Sequence, residues 1–248
     1  MVAGQLPYDK FYIEPFAGML GVLLLRKPSP VEIVNDLDGR VVNWWKVVRD
    51  RPGELERWIR DTPISKALFN EFSEEILVEE CDVKRAGMFG YLLTNSFFGS
   101  GRVAGHMWSN AAGSAWHHVH ERVRPLAERL ERVRLECLDV LELLDGVSGL
   151  TDAVIYCDPP YPGTTAPGIH RGGAEGFDLG EFCGLLRSQR SAVAVSGTDS
   201  SGYELDGWRV SDLRRGCALG SHMSGEKRFI SERLWMNYPD VVSDGRLF

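Results

Sequence analysis

The chain has 248 residues, of which 44% are hydrophobic and 25% charged, with a formal net charge of −7 at pH 7. Its length suits one large domain with a modest insertion, its apolar runs are too short to span a bilayer, and its five scattered cysteines predict neither a disulfide framework nor a zinc site. A reducing cytoplasm is therefore the expected location, and the acidic balance argues mildly against phosphate binding unless basic residues are segregated on one face.

The first sixty residues alternate between strand and helix patterns. Residues 10–14 predict a strand that Pro15 ends, and a glycine-bearing turn leads from it into an apolar stretch, 22–25, typical of a buried helix. Residues 31–34 predict a second short strand, and the valine- and tryptophan-rich segment 41–48 predicts a helix. Pro52 stands at the first position of the next helix. This alternation predicts a right-handed parallel βαβ unit.

The pattern changes between residues 62 and 132. Helices are predicted over 65–76 and 84–98, and an irregular stretch rich in Gly, Ser, Asn and aromatic residues over 99–116. Alternation then returns, with strands at 133–137, 153–157 and 192–196 and helices at 140–144 and 179–186. The last strands, 208–213 and 233–238, should pair as an antiparallel hairpin. We therefore expect an α/β fold in which residues 1–61 and 133–248 form a mostly parallel sheet and residues 62–132 a helical, loop-rich insertion.

An acidic, proline-rich tetrapeptide follows the apolar strand 153–157. Asp158, Pro159, Pro160 and Tyr161 stand where ligands bind in open α/β sheets, beyond the carboxyl end of a strand. The two prolines stiffen the loop. The Asp158 carboxylate and the Pro159 carbonyl can accept both N–H bonds of an aromatic amine while Tyr161 stacks on its ring, which is the orientation that methyl transfer from an activated donor requires. An ordinary strand-ending turn with a capping aspartate is the alternative.

The turn after the first strand forms a second candidate site. Its residues 14–18 carry a glycine that lets the backbone approach a ligand, and Asp36 follows the next strand, where an acidic side chain suits the hydroxyls of a ribose. The same spacing occurs in NAD-binding and in adenosylmethionine-binding proteins. A tight turn with Asp36 as a helix cap is the alternative.

Together these segments resemble the D12-class, Dam-like family of N6-adenine DNA methyltransferases, particularly its phage and prophage members. YIEPFAGMLGVLLLRKP resembles the cofactor motif of that family, and AVIYCDPPYPGT its catalytic motif. VEIVNDLDGRVVNWWKVVRDRP, CLDVLELL, AVAVSGTDS and ERLWMNYP resemble its remaining motifs in the same order. The resemblance implies a Rossmann-like methyltransferase fold, S-adenosyl-L-methionine as the cofactor, and residues 62–132 as the target-recognition region.

The resemblance also implies roles for individual residues. The residues that would hold a flipped-out adenine are Asp158, Pro159, Pro160 and Tyr161. Those that would bind the cofactor are Glu14, Pro15, Phe16, Ala17, Gly18, Asp36, Asp139 and Asp158. Candidates for contact with double-stranded DNA are Arg102, His106, Trp108 and Arg122. No metal is expected, and a monomer or weak dimer in a bacterial or phage-infected cell, with or without a restriction partner, fits the resemblance.

The chain departs from the family pattern in two places. Residues 1–10 lack the aromatic–glycine–lysine segment that usually helps to close the cofactor pocket, and Leu20 stands where many members have a second glycine. The alternative to an active enzyme is therefore a catalytically impaired, methyltransferase-like DNA-binding or partner subunit. A dehydrogenase would give the tetrapeptide at 158–161 no role. N4-cytosine methylation usually places Ser where Asp158 stands, and RNA remains open as a substrate.

Overall fold

The computed structural model describes residues 2–96, 110–160, 178–198, 201–213 and 232–240, without the side chains of residues 110–114. Within them the strands are β1 (Phe11–Glu14), β2 (Val31–Asn35), β3 (Val133–Glu136), β4 (Ala153–Cys157), β5 (Ala192–Thr198), β6 (Arg209–Leu213) and β7 (Glu232–Met236). The α-helices are α1 (Gly39–Asp50), α2 (Pro52–Asp61), α3 (Lys66–Glu75), α4 (Asp82–Thr94), α5 (Asn110–Leu130), α6 (Val140–Val147) and α7 (Leu179–Ser188). No helix of this part of the chain is long and apolar enough to cross a bilayer.

The seven strands form one sheet in the order β3-β2-β1-β4-β5-β7-β6. β1 is parallel to β2 and to β4, β4 is parallel to β5, and β7 is antiparallel to both β5 and β6. The expected mostly parallel sheet with an antiparallel C-terminal hairpin is therefore confirmed. Because the strand order reverses between β1 and β4, the carboxyl ends of these two strands flank the crevice where ligands bind in such sheets.

The described residues divide into two compact units, one within Met1–Val34, Leu138–Thr164 and Gly173–Phe248, the other within Asn35–Cys137. In the first unit all five residues of β4 are buried, as expected of a strand covered on both faces. Ile13 of β1, Val193 of β5 and the α7 residues Phe182 and Leu186 complete its apolar core together with α6.

The second unit has an aromatic core. Trp58, Phe72, Tyr91 and Trp116 meet with ring centroids between 5.0 and 6.4 Å apart, three of the four pairs edge to face. The Trp116 indole N–H donates to the Thr62 carbonyl at 3.0 Å. Helices α1 and α2 pack in this unit against α4 and α5. The insertion boundaries at residues 62 and 132 stay predictions.

Two local predictions were wrong. Instead of a buried helix over 22–25 the chain forms one 3-10 turn, Leu23–Leu25, in which Leu23 is buried and Leu25 is 65% exposed. The stretch predicted as irregular up to residue 116 is helical from Asn110, because the alanines at 111, 112 and 115 favour a helix and outweigh the single glycine. Residues 97–109 of that stretch lie outside the described residues.

Leu20 has an unusual backbone conformation. Its φ is +56°, a region that residues with a Cβ rarely adopt, and its side chain is fully buried. The Leu20 N–H closes the turn after β1 by donating to the Ala17 carbonyl at 2.7 Å. The position where many members of the resembled family have glycine is therefore one where this backbone adopts a left-handed conformation, and leucine offsets that cost by burying its side chain.

This balance predicts that replacing Leu20 by glycine costs less stability than replacing it by alanine. Leu20→Gly removes a strain of roughly 1–2 kcal/mol but loses a buried side chain worth roughly 2–5 kcal/mol, so it should be about 2 kcal/mol less stable than wild type. Leu20→Ala loses most of the side chain and keeps the strain, so it should be less stable than Leu20→Gly by about 1 kcal/mol. Urea unfolding measures both. An alanine variant as stable as the glycine variant would show that the backbone at residue 20 is not strained.

Candidate active site

Two carboxyl groups lie at the carboxyl ends of neighbouring parallel strands. Glu14 is the last residue of β1 and is only 2% exposed, whereas Asp158 directly follows β4 and is exposed. They are close enough for the charge of Asp158 to act on Glu14. The sheet thus places an accessible carboxylate and a buried carboxyl at its topological switch point.

Glu14 is held by hydrogen bonds inside the first unit. Its Oε2 accepts from the Tyr12 hydroxyl at 2.9 Å and from the Leu23 N–H at 3.2 Å, which ties the end of β1 to the 3-10 turn. Burial raises the pKa of Glu14 to about 8 against the lowering effect of these hydrogen bonds, and the charge of Asp158 raises it further. At neutral pH the protonated form therefore predominates at Glu14, so two carboxyl groups can share one crevice.

The turn after β1 leaves its backbone accessible. Gly18 has a φ of +45°, and no described atom lies within 4 Å of the place that a Cβ would take there. Phe16 is half-buried and packs edge to face against Phe182, with ring centroids 5.9 Å apart. Pro15 and Ala17 are buried. The arrangement offers a ligand a fixed aromatic edge and open space at the position that a Gly18 side chain would take.

Asp158 is bound by a residue of the neighbouring strand. The Ser196 Oγ of β5 lies 2.6 Å from Asp158 Oδ1, 3.2 Å from the Cys157 carbonyl oxygen and 3.2 Å from the Tyr156 hydroxyl. Of the two prolines that follow, Pro159 is buried and Pro160 half-buried. Burial raises the pKa of the Cys157 thiol, and so do the neighbouring Asp158 and Glu14, which leaves this cysteine uncharged and unreactive.

The other acidic candidates act locally in the structure. Asp36 follows β2, is 7% exposed, and accepts the Asp38 N–H at 2.9 Å on its carboxylate. The reading in which Asp36 caps α1 is wrong, because Asp38 is the N-cap and accepts from the Arg40 N–H. Asp139 is exposed and caps α6 by accepting the Leu141 N–H at 2.8 Å.

Several predicted site residues belong to ranges outside the described structure. Tyr161, and the DNA-contact candidates Arg102, His106 and Trp108, lie outside the described residues. Arg122 is described and is exposed on α5. In the described ranges no group of three or more His, Cys, Asp or Glu residues is arranged to hold a metal ion.

The sequence interpretation missed Ser196, Tyr156 and Tyr12, which hold the two carboxyl groups. Ser196 and Tyr156 meet across β5 and β4, 40 residues apart, so no local motif joins them. One signal was available, since Ser196 is the first polar residue after the apolar run of β5. A polar residue at the buried carboxyl end of a parallel strand marks a position that faces the ligand crevice.

Comparison with known proteins agrees on one family. A family model described as D12 class N6 adenine-specific DNA methyltransferase matches residues 3–168. The Retron Ec67 DNA adenine methylase of Escherichia coli is 26% identical over 216 residues, which are 79% of this chain and 72% of that protein. A DNA adenine methylase of Vibrio cholerae serotype O1 is 22% identical over 189 residues, or 73% and 67% of the two chains.

One solved structure also aligns with most of the chain. The alignment with the rRNA methyltransferase aviRa from Streptomyces viridochromogenes covers 94% of this chain and 78% of that protein. The identity is 16% and the TM-score 0.38. This likeness is too low to support a conclusion about substrate.

The raised pKa of Glu14 predicts a pH-dependent stability. The pKa rises from 4.5 to about 8 on folding, so its contribution is fully present below pH 4.5 and is lost as the pH rises towards 8. Glu14→Gln cannot ionise and keeps an oxygen to accept from Tyr12 and Leu23. It should therefore flatten the fall in the free energy of unfolding between pH 5 and 8, a fall of at most about 1.4 kcal/mol per pH unit.

Urea unfolding at pH 5, 6.5 and 8 measures this dependence, and Glu71→Gln on the exposed face of α3 is the matched control. The control should follow wild type at each pH. A Glu14→Gln variant with the slope of wild type would show that Glu14 takes up no proton on folding.

Proposed function

Because the chain belongs to the D12 class of N6 adenine-specific DNA methyltransferases, we propose that Asp158 and the prolines after it hold the amino group of a flipped-out adenine for methylation, with S-adenosylmethionine as the methyl donor. The protein is a DNA adenine methyltransferase. The class is specific for adenine N6, which decides against the N4-cytosine alternative.

The observation that carries the proposal is the position of Asp158. It is the accessible one of two carboxyl groups at the point where the strand order reverses, directly after the fully buried β4. A carboxylate at this place can accept an N–H bond from a base that has left the duplex, at a cost of a few kcal/mol for unstacking and unpairing. The buried Glu14 is not accessible to a base in this way.

The residues of the first unit suit the proposed cofactor. Burial raises the pKa of Glu14 and the charge of Asp158 raises it further, while the accessible Asp158 carboxylate leaves a negative charge that a cationic ligand beside it would balance. The open space at Gly18 and the half-buried ring of Phe16 would border such a ligand. When bound, S-adenosylmethionine supplies a methyl group already activated by its sulfonium charge. We assign Glu14, Pro15, Phe16, Ala17 and Gly18 to this site, and leave Asp36 and Asp139 as predicted cofactor contacts.

The chain's own groups then have two tasks. The lone pair of an aromatic amine is delocalised into the ring, so the amine is a weak nucleophile. Asp158 accepts one N–H bond and the Pro159 carbonyl the other, which localises the lone pair and orients it. The amine would form its N–C bond as the S–C bond of the donor breaks, with the electron pair of that bond left on sulfur, and the N–H proton that the amine then loses would pass to the Asp158 carboxylate. Tyr161 is proposed to stack on the base.

Double-stranded DNA is the proposed partner, and Arg122 a proposed contact. Helix α5 exposes Arg122 and His117 in the described structure, while His118 contacts Glu121 at 3.2 Å and Arg124 pairs with Glu56 at 3.0 Å. Basic residues concentrated on one helix provide phosphate contacts that the net charge of the chain does not reveal. A monomer or weak dimer acting on DNA in the bacterial cytoplasm is the proposed state.

The first test is methyl transfer by an Asp158→Ala variant. With labelled S-adenosylmethionine and unmethylated DNA, followed by digestion, wild type should yield N6-methyladenine, and the variant should be slower by about a hundredfold to a thousandfold. Asp152→Ala is the control, because Asp152 is a partly exposed residue just before β4, at the opposite end of the same strand, where its carboxylate pairs with Lys10. It should keep the wild-type rate.

Calorimetry separates the enzyme from the impaired-subunit alternative. Folded wild-type protein should bind S-adenosylmethionine, and Asp158→Ala should remain folded. Absence of binding to wild type at millimolar ligand would favour the subunit that has lost its cofactor. Near-normal methyl transfer by the Asp158 variant would refute the assigned role.

The second test concerns DNA affinity. Replacing Arg122 by Ala should weaken DNA binding and reduce the slope of log K against log salt concentration by about 0.9, the value for one lost phosphate contact. Arg190→Ala is the control, because Arg190 is also exposed but precedes β5, at the amino end of the parallel strands. Fluorescence anisotropy at several salt concentrations measures both slopes. Equal slopes for the two variants would remove Arg122 from the DNA interface.

A further inference from the structure

We propose that Ser196 is a positioning residue for methyl transfer, whose hydroxyl fixes the orientation of the Asp158 carboxylate. The inference rests on the proposed role of Asp158 in holding the target amine. Ser196 itself is not proposed to touch the base. It acts through Asp158, and it belongs to β5, the strand next to the one that Asp158 follows.

The register of the sheet brings the two residues together. β4 and β5 are parallel, with Cys157 opposite Val195 as their last pair. Asp158 and Ser196 come next on their respective strands, and the Ser196 Oγ lies 2.6 Å from Asp158 Oδ1. This distance is in the short range of hydrogen bonds between a hydroxyl and a carboxylate. Ser196 is 3% exposed, so a buried donor holds an exposed acceptor.

The single proton of the Ser196 hydroxyl determines the direction of these bonds. The Ser196 hydroxyl has one proton and three oxygen neighbours: Asp158 Oδ1 at 2.6 Å, the Cys157 carbonyl at 3.2 Å and the Tyr156 hydroxyl at 3.2 Å. A carboxylate accepts only, and its bond is the shortest and charge-assisted, so the proton lies towards Asp158. The Tyr156 hydroxyl then donates to the Ser196 Oγ. The chain of donors runs from Tyr156 through Ser196 to Asp158.

The backbone of Ser196 is fixed on its other side. The Tyr203 hydroxyl donates to the Ser196 carbonyl at 3.1 Å, and the Tyr203 ring packs edge to face on Trp235 at 5.2 Å. At Gly197 a Cβ would stand 2.5 Å from the Tyr203 ring, so this packing depends on glycine. β5 also pairs with β7 through Ser196 and Leu234. Ser196 is therefore a rigid anchor.

An exposed aspartate without such an anchor samples several rotamers, and only some of them orient the carboxylate for the amine. Loss of the anchor should lower the rate of the chemical step rather than the affinity for either substrate, because orientation matters most in the transition state. A purely structural serine predicts a different result, namely lower thermal stability with an unchanged kcat in the folded protein.

The test compares Ser196→Ala with Ser196→Thr and with Ser191→Ala under single-turnover and steady-state conditions. Ser191 is the matched control, since it is 4% exposed, immediately precedes β5, and donates to the Leu150 carbonyl at 2.8 Å, away from Asp158. Ser196→Ala should lower kcat by about tenfold to a hundredfold and change the KM for either substrate less than about threefold. Ser196→Thr retains the hydroxyl and should recover most of the rate. Ser191→Ala should match wild type.

An unchanged kcat in folded Ser196→Ala, with Asp158→Ala inactive, would overturn the positioning role and leave the proposed function intact. Failure of Ser196→Thr to recover the rate would also overturn it. Activity in Asp158→Ala would instead refute the proposed function itself. If Ser196→Ala does not fold, Tyr156→Phe decides, because it removes only the hydroxyl that donates to Ser196. That variant should lose about threefold in kcat, and a wild-type kcat there would count against the proposal.

Discussion

The burial of one of two neighbouring carboxyl groups, Glu14 at the end of β1, is the constraint on which the rest of the site depends. A parallel sheet brings Glu14 and Asp158 to one crevice, and two negative charges there would oppose each other. The protein resolves this by giving them different environments. Glu14 is buried and hydrogen-bonded, which favours its neutral form at neutral pH, while Asp158 is exposed to water and held by Ser196. Different surroundings thus give two chemically similar groups different roles.

The same constraint explains the turn after β1. The Glu14 carboxyl accepts the Leu23 N–H, so the chain must return to the end of its own strand within nine residues. That return requires left-handed backbone at Gly18 and Leu20 and leaves room for only one 3-10 turn before the prolines at 28 and 30. The strain at Leu20 thus follows from the hydrogen bond that the Glu14 carboxyl accepts from the Leu23 N–H.

The parts of the site that the sequence could predict are local. The apolar run of β4, the tetrapeptide after it and the glycine-bearing turn after β1 are each determined by adjacent residues, and the structure confirms β4 and that turn. The parts that could not be predicted depend on register and on competition between neighbours. Asp38 rather than Asp36 caps α1, and the bond from Ser196 to Asp158 spans 38 residues. Spacing along one strand carries no information about its alignment with the next.

One sequence pattern shared by β1 and β4 nevertheless indicated how the two acids are held. Residues two apart on a strand point to the same face, and each acid has a tyrosine two residues before it, Tyr12 for Glu14 and Tyr156 for Asp158. Tyr12 reaches its acid directly at 2.9 Å, which keeps Glu14 inside the protein. Tyr156 reaches Ser196 instead, and the serine hydroxyl spans the remaining distance to Asp158. Because Ser196 spans this distance, the Asp158 carboxylate can be exposed to solvent while buried side chains still fix its orientation.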